Sequence, residues 1–292
     1  MLVCPVKSDA FTVGAVLGDA AKRIMGAQDL DARTARLEAR VLGAHVLKVA
    51  PSWLIAHDTD VLHAAAVVNF RALLERRLTG EPIAYLTGVR EFYGYEFEVT
   101  PDVLIPRPET ELLVERALMQ IPPDITLDVL ELGCGSGCVA ISLALQRPRA
   151  RITAVDCSVA ALTLARRNAE RLNTQVELLS SDWYGALVGR RFDIIVSNPP
   201  YVAINDPHLA RGDVRFEPMG AFIAGIAGLD ALRVIIEDAH LYLRAQGKLL
   251  LEHGYDQAEQ VRSLLKSAAM DPIETWHDLA GVARVSGGRL SG

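Results

Sequence analysis

The spacing of apolar positions changes period once along the chain. From about residue 9 to 80, apolar residues recur three and four apart, as in Leu37, Val41, Ala44 and Leu47, and again in Val67, Phe70, Leu74 and Leu78. Each set predicts a helix with one buried stripe, and together they predict a small helical bundle without strands. The turn signal Thr79-Gly80-Glu81-Pro82 closes this region. In "REFYGYEFEV", aromatic and charged residues then alternate around Gly94, the period of a short hairpin. A helix is expected after Pro108, with Glu109 and Glu111 in its first turn. From Leu127 onward, strand-like runs ("LDVLEL", "RITAVD", "VELLSS", "FDIIVS", "GKLLLEH") take turns with helical ones ("CVAISLALQ", "VAALTLARRNAERL", "LDALRVIIEDAHLYL"). Such alternation predicts an α/β domain built on a doubly wound, mostly parallel sheet. Its ligands should bind at the carboxyl ends of the strands, in the turns after Leu132, Val155, Ser180 and Ser197. The expected organisation is a helical domain over 1–80, a hairpin connector over 81–110 and an α/β domain over 111–292, ending in the Gly/Ser-rich tail "SGGRLSG".

Composition narrows the function classes. With 292 residues, half of them apolar and 23% charged, the chain can bury a large core and a smaller one. A net charge of −6 counts against nucleic acid as the sole partner, because phosphate contacts want a basic surface. The densest basic cluster, "LARRNAERL", reads as the solvated face of one helix. Cys4, Cys134, Cys138 and Cys157 form no C-x-x-C pair and have no histidine cluster nearby, so they read as reduced structural residues and no metal site is expected. No apolar run reaches the ~20 residues of a membrane span. The N-terminal stretch, with one Lys and an interrupting Asp, is a poor signal peptide, so a cytoplasmic protein is expected.

The candidate chemistry sits in three strand-end turns. "ELGCGSGC" places Gly133, Gly135 and Gly137 between a strand and a helix, where glycine lets the backbone turn sharply and approach a ligand. Cys138 stands where the dinucleotide pattern G-x-G-x-x-G needs its last glycine, which lowers the odds of NAD or FAD and leaves a ligand-free tight turn as the alternative. Asp156 follows Gly137 by 19 residues, the place of a carboxylate that takes ribose hydroxyls, although it could equally cap a helix together with Ser158. Asp182 and Trp183 end the third strand, where they could accept from and sandwich an adenine, or where the Trp could simply anchor a loop. The fourth turn is Asn198-Pro199-Pro200-Tyr201. Its prolines delete two backbone donors and stiffen the chain, leaving acceptors without competing N–H groups.

Taken together these motifs resemble the S-adenosylmethionine-dependent methyltransferases that modify planar amino or amide nitrogens. The segments "EPIAYLTGVREFYG", "LIPRPETELLVE", "DPHLARGDVRFEPMGA" and "LLLEHG" extend the likeness over about residues 81–255. Over that span the chain is similar to the peptide-chain release factor glutamine N5-methyltransferases of the PrmC/HemK type. The resemblance implies a Rossmann-like class I methyltransferase domain with a seven-stranded sheet, and methylation of the glutamine in the Gly-Gly-Gln loop of class 1 release factors. It implies that Glu131, Gly133, Cys134, Gly135, Ser136 and Gly137 hold the methionine part of S-adenosyl-L-methionine. Asp156 and Cys157 would lie at the ribose, and Asp182 and Trp183 at the adenine. Asn198, Pro199, Pro200 and Tyr201 would hold the glutamine, with Arg107, Pro108, Glu109 and Thr110 lying over the site, and Glu217 and Pro218 match a further family segment. This chain carries Glu131 where many members have Asp, Cys134 where Thr or Ser is commoner, and an ending, "HDLAGVARVSGGRLSG", that departs from the family's usual last strand. A monomer with no direct nucleic-acid contact is expected, its helical N-terminal domain docking the release factor.

The chemistry fits an amide acceptor. An amide nitrogen is a poor nucleophile because its lone pair is delocalised into the carbonyl. Two acceptors, the Asn198 side-chain oxygen and the Pro199 carbonyl, would orient its two N–H groups and bind more strongly as positive charge develops. A rival reading, an N6-adenine or other nucleic-acid amino methyltransferase, would use the same quartet on a flipped-out base. A second rival is a non-catalytic scaffold, which would have little reason to keep Asn198 and both prolines.

Overall fold

The protein is described here by a computed structural model covering residues 11–210 and 212–291, so Cys4 lies outside the described residues. The chain divides into two compact units, Met1–Gly88 with Ala210–Phe216, and Val89–Leu209 with Glu217–Gly292.

The first unit is helical: α1 (Val13–Gln28), α2 (Ala32–Leu47), α3 (Pro51–Ala56), α4 (Ala64–Leu78) and α5 (Ile83–Thr87). The side chain of Thr12 caps α1 and that of Asp31 caps α2, each accepting from backbone N–H groups in the first turn. The stripe expected on α4 is present, with Val67, Phe70 and Leu74 buried and Leu78 partly so. On α2 the stripe holds in its second half, where Ala44 is buried and Leu47 packs beside it, and is corrected in its first half. Leu37 is 62% exposed, and the buried face is Ala35, Ala39 and Leu42, set against Ala20, Ala21 and Ile24 of α1. The alanines are spaced helically too, and small residues on both helices let the two axes come close, so the face of Ala35, Ala39 and Leu42 is buried in preference to Leu37.

The second unit opens with a hairpin, β1 (Val89–Phe92) and β2 (Tyr95–Glu98). Its two-residue turn, Tyr93-Gly94, has positive φ at both positions, matching the twist of the strands it joins. Phe92 and Phe97, both fully buried, carry the hairpin into the core of this unit. There follow α6 (Glu111–Gln120), β3 (Asp128–Leu132), α7 (Cys138–Gln146), β4 (Arg151–Asp156), α8 (Val159–Arg171), β5 (Glu177–Ser180), β6 (Phe192–Ser197), α9 (Asp230–Tyr242), β7 (Leu243–Glu252), α10 (Ala258–Ser267), β8 (Met270–His277) and β9 (Ala283–Leu290).

These strands form one seven-stranded sheet in the order β5-β4-β3-β6-β7-β9-β8. It is parallel from β5 through β7, while β9 runs antiparallel to both β7 and β8. Successive residues of each inner strand enter opposite cores: Val129, Ile194, Val196 and Leu250 pack with α6, α7 and α8, and Leu130, Ile195, Leu249 and Leu251 with α9 and α10. This is the doubly wound, mostly parallel sheet expected from the alternating elements, with the seven strands that the resemblance implied. Strand order reverses between β3 and β6, so the ligand crevice is expected at their carboxyl ends.

The end of the chain differs from expectation. "SGGRL" is no tail but part of β9, whose Val285 to Gly288 are buried. A Cβ on Gly287 would lie 2.5 Å from the Leu249 carbonyl, so glycine there permits the close approach of β9 to β7. In "LARRNAERL" the arginines are exposed, as expected of a solvated face. Within that helix Asn168 is fully buried, its amide donating to the Glu98 and Ser136 carbonyls (3.0 Å each) and its oxygen accepting from Glu98 N (2.7 Å). One amide thus ties the hairpin to the glycine turn after β3.

Among the described residues, no helix is long and apolar enough to cross a membrane, and no group of three or more His, Cys, Asp or Glu could hold a metal ion.

Candidate active site

A cavity of about 290 Å³ opens at the carboxyl ends of β3, β4, β5 and β6, where the strand order reverses. The glycine turn forms one wall. Gly133 N and Cys134 N both donate to the Val155 carbonyl (2.8 and 3.0 Å), which folds the chain back across β4. Glu131, Gly133, Cys134, Gly135 and Ser136 line the cavity. Gly137 does not: at φ +79 it begins α7, and a Cβ there would lie 3.0 Å from Ile141 Cδ1 and 3.1 Å from Ala165 Cβ. Its place is in the packing of α7 on α8.

Glu131 is buried and accepts a hydrogen bond from Ala140 N (2.8 Å). Burial pushes its carboxyl well above the usual range, and the Asp156 charge adds to this. A buried carboxyl facing a cavity is a natural seat for a ligand cation, whose charge would favour the anionic form. Burial likewise raises the thiols of Cys134 and Cys138, the latter to about 12, so neither is a ready nucleophile.

Asp156 ties the glycine turn to the start of α8. Its Oδ1 accepts from Ser158 N and its Oδ2 from Gly135 N (2.8 Å each), while Ser158 caps α8. Each carboxylate oxygen keeps lone-pair capacity for a further donor from the cavity that Asp156 lines. Cys157, Asp182 and Trp183 complete that side. Trp183 sits at φ +44, and the turn is held by Ser181, whose Oγ donates to Trp183 O (2.8 Å) and accepts from Ala186 N (2.9 Å). The indole edge approaches Gly133, so ring and glycine turn face one another.

The Asn-Pro-Pro-Tyr turn closes the far side. Ser197 Oγ donates to the Leu132 carbonyl (2.7 Å), locking the ends of β6 and β3 together. Asn198 and Pro200 line the cavity, whereas Pro199 is buried and is not among the lining residues. Asn198 Nδ2 donates to Thr110 Oγ1 (3.0 Å), leaving the amide oxygen as the end open to a donor. Tyr201 also stands outside the lining. Its ring packs with the core shared by α9 and α10, its hydroxyl donates to Glu252 Oε1 (3.1 Å), and Gln257 Nε2 donates to its carbonyl (3.0 Å). Burial raises the phenol well above its ordinary pKa.

Of the Arg107-Pro108-Glu109-Thr110 segment, Arg107 and Thr110 line the cavity, and Pro108 and Glu109 are exposed. Glu217 anchors the segment: its buried carboxylate pairs with Arg107 Nη2 and accepts from Ile105 N (2.9 Å). That supplies the physical role that Glu217 lacks when read from sequence alone. Asp102, Val103, Leu104, Pro106, Pro218 and Ala221 also reach the cavity, and nothing in their residue types marks them out.

Comparison with known proteins was consistent along the chain. Residues 20–88 match the family model described as the PrmC N-terminal domain, and residues 108–211 the Methyltransferase small domain. The release factor glutamine methyltransferase of Burkholderia pseudomallei is 52% identical over 93% of this chain and 96% of its own. That of Bordetella pertussis is 52% identical over 87% and 95%, and that of Escherichia coli K12 is 44% identical over 87% and 92%. Among solved structures, the T. thermophilus 16S rRNA N2 G1207 methyltransferase in complex with AdoMet and guanosine superposes with a TM-score of 0.54. It is 23% identical, covering 69% of this chain and 49% of that one, a likeness of fold alone. Identity at this level, across both the helical and the α/β parts and over nearly the full length of the relatives, means that the chain belongs to the release factor glutamine methyltransferase family.

Proposed function

We propose that the protein transfers the methyl group of S-adenosyl-L-methionine to the side-chain amide nitrogen, N5, of the glutamine in the Gly-Gly-Gln loop of class 1 peptide-chain release factors. The observation that carries the acceptor chemistry is the Asn198 amide, whose nitrogen is taken by Thr110 and whose oxygen is thereby free at a cavity wall. The donor set suits the cofactor. Glu131 receives its ammonium group, Asp156 the ribose hydroxyls, and Asp182 and Trp183 the adenine, beside a glycine turn that leaves open space at Gly135.

When bound, the cofactor supplies a methyl group on a positively charged sulfur, an excellent leaving group. Asn198 Oδ1 and the Pro199 carbonyl accept from the two N–H groups of the glutamine amide and aim its nitrogen along the line to the methyl carbon. The cofactor would supply the methyl carbon and leave as the neutral thioether, and the amide nitrogen would give up one proton to water. As charge develops, its N–H groups become stronger donors, so both acceptors bind the transition state better than the ground state. Tyr201, held by Glu252 and Gln257, keeps the turn rigid.

Identity of 52% over 93% of the chain with a release factor glutamine methyltransferase, together with a net charge of −6, favours a protein over a nucleic acid as substrate. We assign the helical N-terminal part to docking of the release factor, and place the enzyme in the cytoplasm as a monomer. Incubation with methyl-labelled cofactor and a release factor, followed by peptide mapping, should place the label on one glutamine. Asn198→Ala should bind cofactor and lose transfer. Label on that glutamine at wild-type rate in Asn198→Ala would overturn the assignment of the acceptor clamp.

A further inference from the structure

Glu252 ends β7 with 1% of its surface exposed, and no step described above uses its charge. Oε1 accepts from the Tyr201 hydroxyl, whereas the buried Oε2 has no hydrogen-bond partner. The Thr110 hydroxyl is beside this carboxyl and favours its anion. Thr110 Oγ1 is in turn the atom that accepts from Asn198 Nδ2. A buried carboxyl, a hydroxyl and the cavity-lining amide therefore stand in sequence.

We propose that Glu252 is a positioning residue that sets, through the Thr110 hydroxyl, which end of the Asn198 amide faces the acceptor. This rests on the reading of Asn198 as the acceptor clamp. A threonine hydroxyl has one proton and two lone pairs, so it can serve either end of an amide. With Glu252 ionised, the hydroxyl proton is drawn to the carboxylate, and only lone pairs are left for Asn198. The amide must then present Nδ2 to Thr110 and Oδ1 to the cavity. With Glu252 protonated, its own O–H can donate to Thr110 Oγ1, and the threonine proton turns to Asn198. The amide then accepts through Oδ1 and swings its NH₂ toward the NH₂ of the substrate, where two donors face one another.

The surroundings place this switch near neutrality. Burial raises the Glu252 carboxyl to about 7, and Glu109 adds to this, while Thr110, Tyr201 and Arg284 favour the anion. Cys138, whose thiol burial holds at about 12, also faces it and is neutral in this range. The folded-state value is raised, so the productive amide orientation is present above about pH 7 and lost as the pH falls through it.

The test measures kcat for methylation of an intact release factor from pH 6 to 9, with cofactor affinity measured alongside. The wild type should lose kcat about tenfold per pH unit on the acid side. Glu252→Gln, whose amide donates to Thr110 permanently, should lower kcat at pH 8 by about tenfold or more, leave cofactor affinity unchanged and flatten the acid limb. Thr110→Ser, which retains a hydroxyl, should lose less kcat than Thr110→Val and keep the acid limb. Thr110→Val should match Glu252→Gln, and combining the two should lose nothing further; this variant carries the test if Glu252→Gln does not fold. Wild-type kcat in Glu252→Gln, or a reduced kcat that keeps the acid limb, overturns the proposal. If Asn198→Ala is inactive while Glu252→Gln behaves as wild type, only the role of Glu252 fails. If Asn198→Ala transfers normally, the clamp itself fails.

Discussion

Gly135 and Gly137 are two residues apart in one turn, yet the structure assigns them opposite costs on replacement by alanine. At Gly137, φ is +79, and the new Cβ would stand 3.0 Å from Ile141 Cδ1 and 3.1 Å from Ala165 Cβ. The left-handed backbone costs about 1–2 kcal/mol for a residue with a Cβ, and crowding between two packed helices about 1–3 kcal/mol more. A loss of about 2–5 kcal/mol is a large part of the ~5–15 kcal/mol that typically holds a domain folded. It should lower the melting temperature by on the order of 10 °C. At Gly135, φ is +53 but no protein atom lies within 4 Å of the added Cβ, so only the backbone term of about 1–2 kcal/mol applies. That methyl group would occupy the cavity, and affinity for S-adenosyl-L-homocysteine should fall by about tenfold or more. Thermal unfolding and titration calorimetry, below both transitions, separate the two effects. Gly137→Ala with an unchanged melting temperature and an affinity loss equal to that of Gly135→Ala would refute the packing role given to Gly137.

Glu131 should release protons when S-adenosyl-L-homocysteine binds, because burial raises its carboxyl pKa in the free protein and a ligand ammonium favours the anion. Affinity should rise with pH toward a plateau, and the heat of binding should depend on buffer ionisation enthalpy in the wild type and not in Glu131→Gln; wild-type heats independent of buffer would refute this. Asp128 is held at about 2, first by Arg151 and also by Arg244. A folded-state value below the unfolded one stabilises above about pH 4, so about 1–2 kcal/mol should be lost as pH falls from 4 to 2, after discount for partly exposed partners, and Asp128→Asn should lack that dependence. Deleting residues 1–78 should raise KM for the intact release factor and spare cofactor affinity, and an unchanged KM would sink the docking role.

The α/β part was legible because its signals are local. The runs from Asp128 to Leu132 and from Phe192 to Ser197 are apolar on both faces, and each is closed by a glycine or proline turn, so strand and turn announce one another. The cavity's charged corners followed from their places at strand ends. What sequence did not show depends on partners far along the chain. Leu37 and Ala39 are both helically spaced, and only the alanines of α1 decide which is buried. Asn168 sits in a run of arginines that reads as solvated, yet its amide bonds residues 70 and 32 positions away. Glu252 and Thr110 are 142 positions apart, so nothing near either reveals that they meet. The β8–β9 pair was missed because glycines weaken strand propensity, whereas here Gly287 is required by the closeness of Leu249.

The position of β9 bears on how the protein is made. The sheet grows outward in sequence order from β3, except that β9 inserts between β7 and β8. Until residues 283–290 have been synthesised, β7 presents an open row of backbone groups, and β8 has no strand to join. An edge of that kind, flanked by the apolar Leu249, Leu250 and Leu251, is a template for pairing with other chains. Nascent or truncated forms lacking the last strand should therefore be the aggregation-prone species, and the sites of chaperone binding.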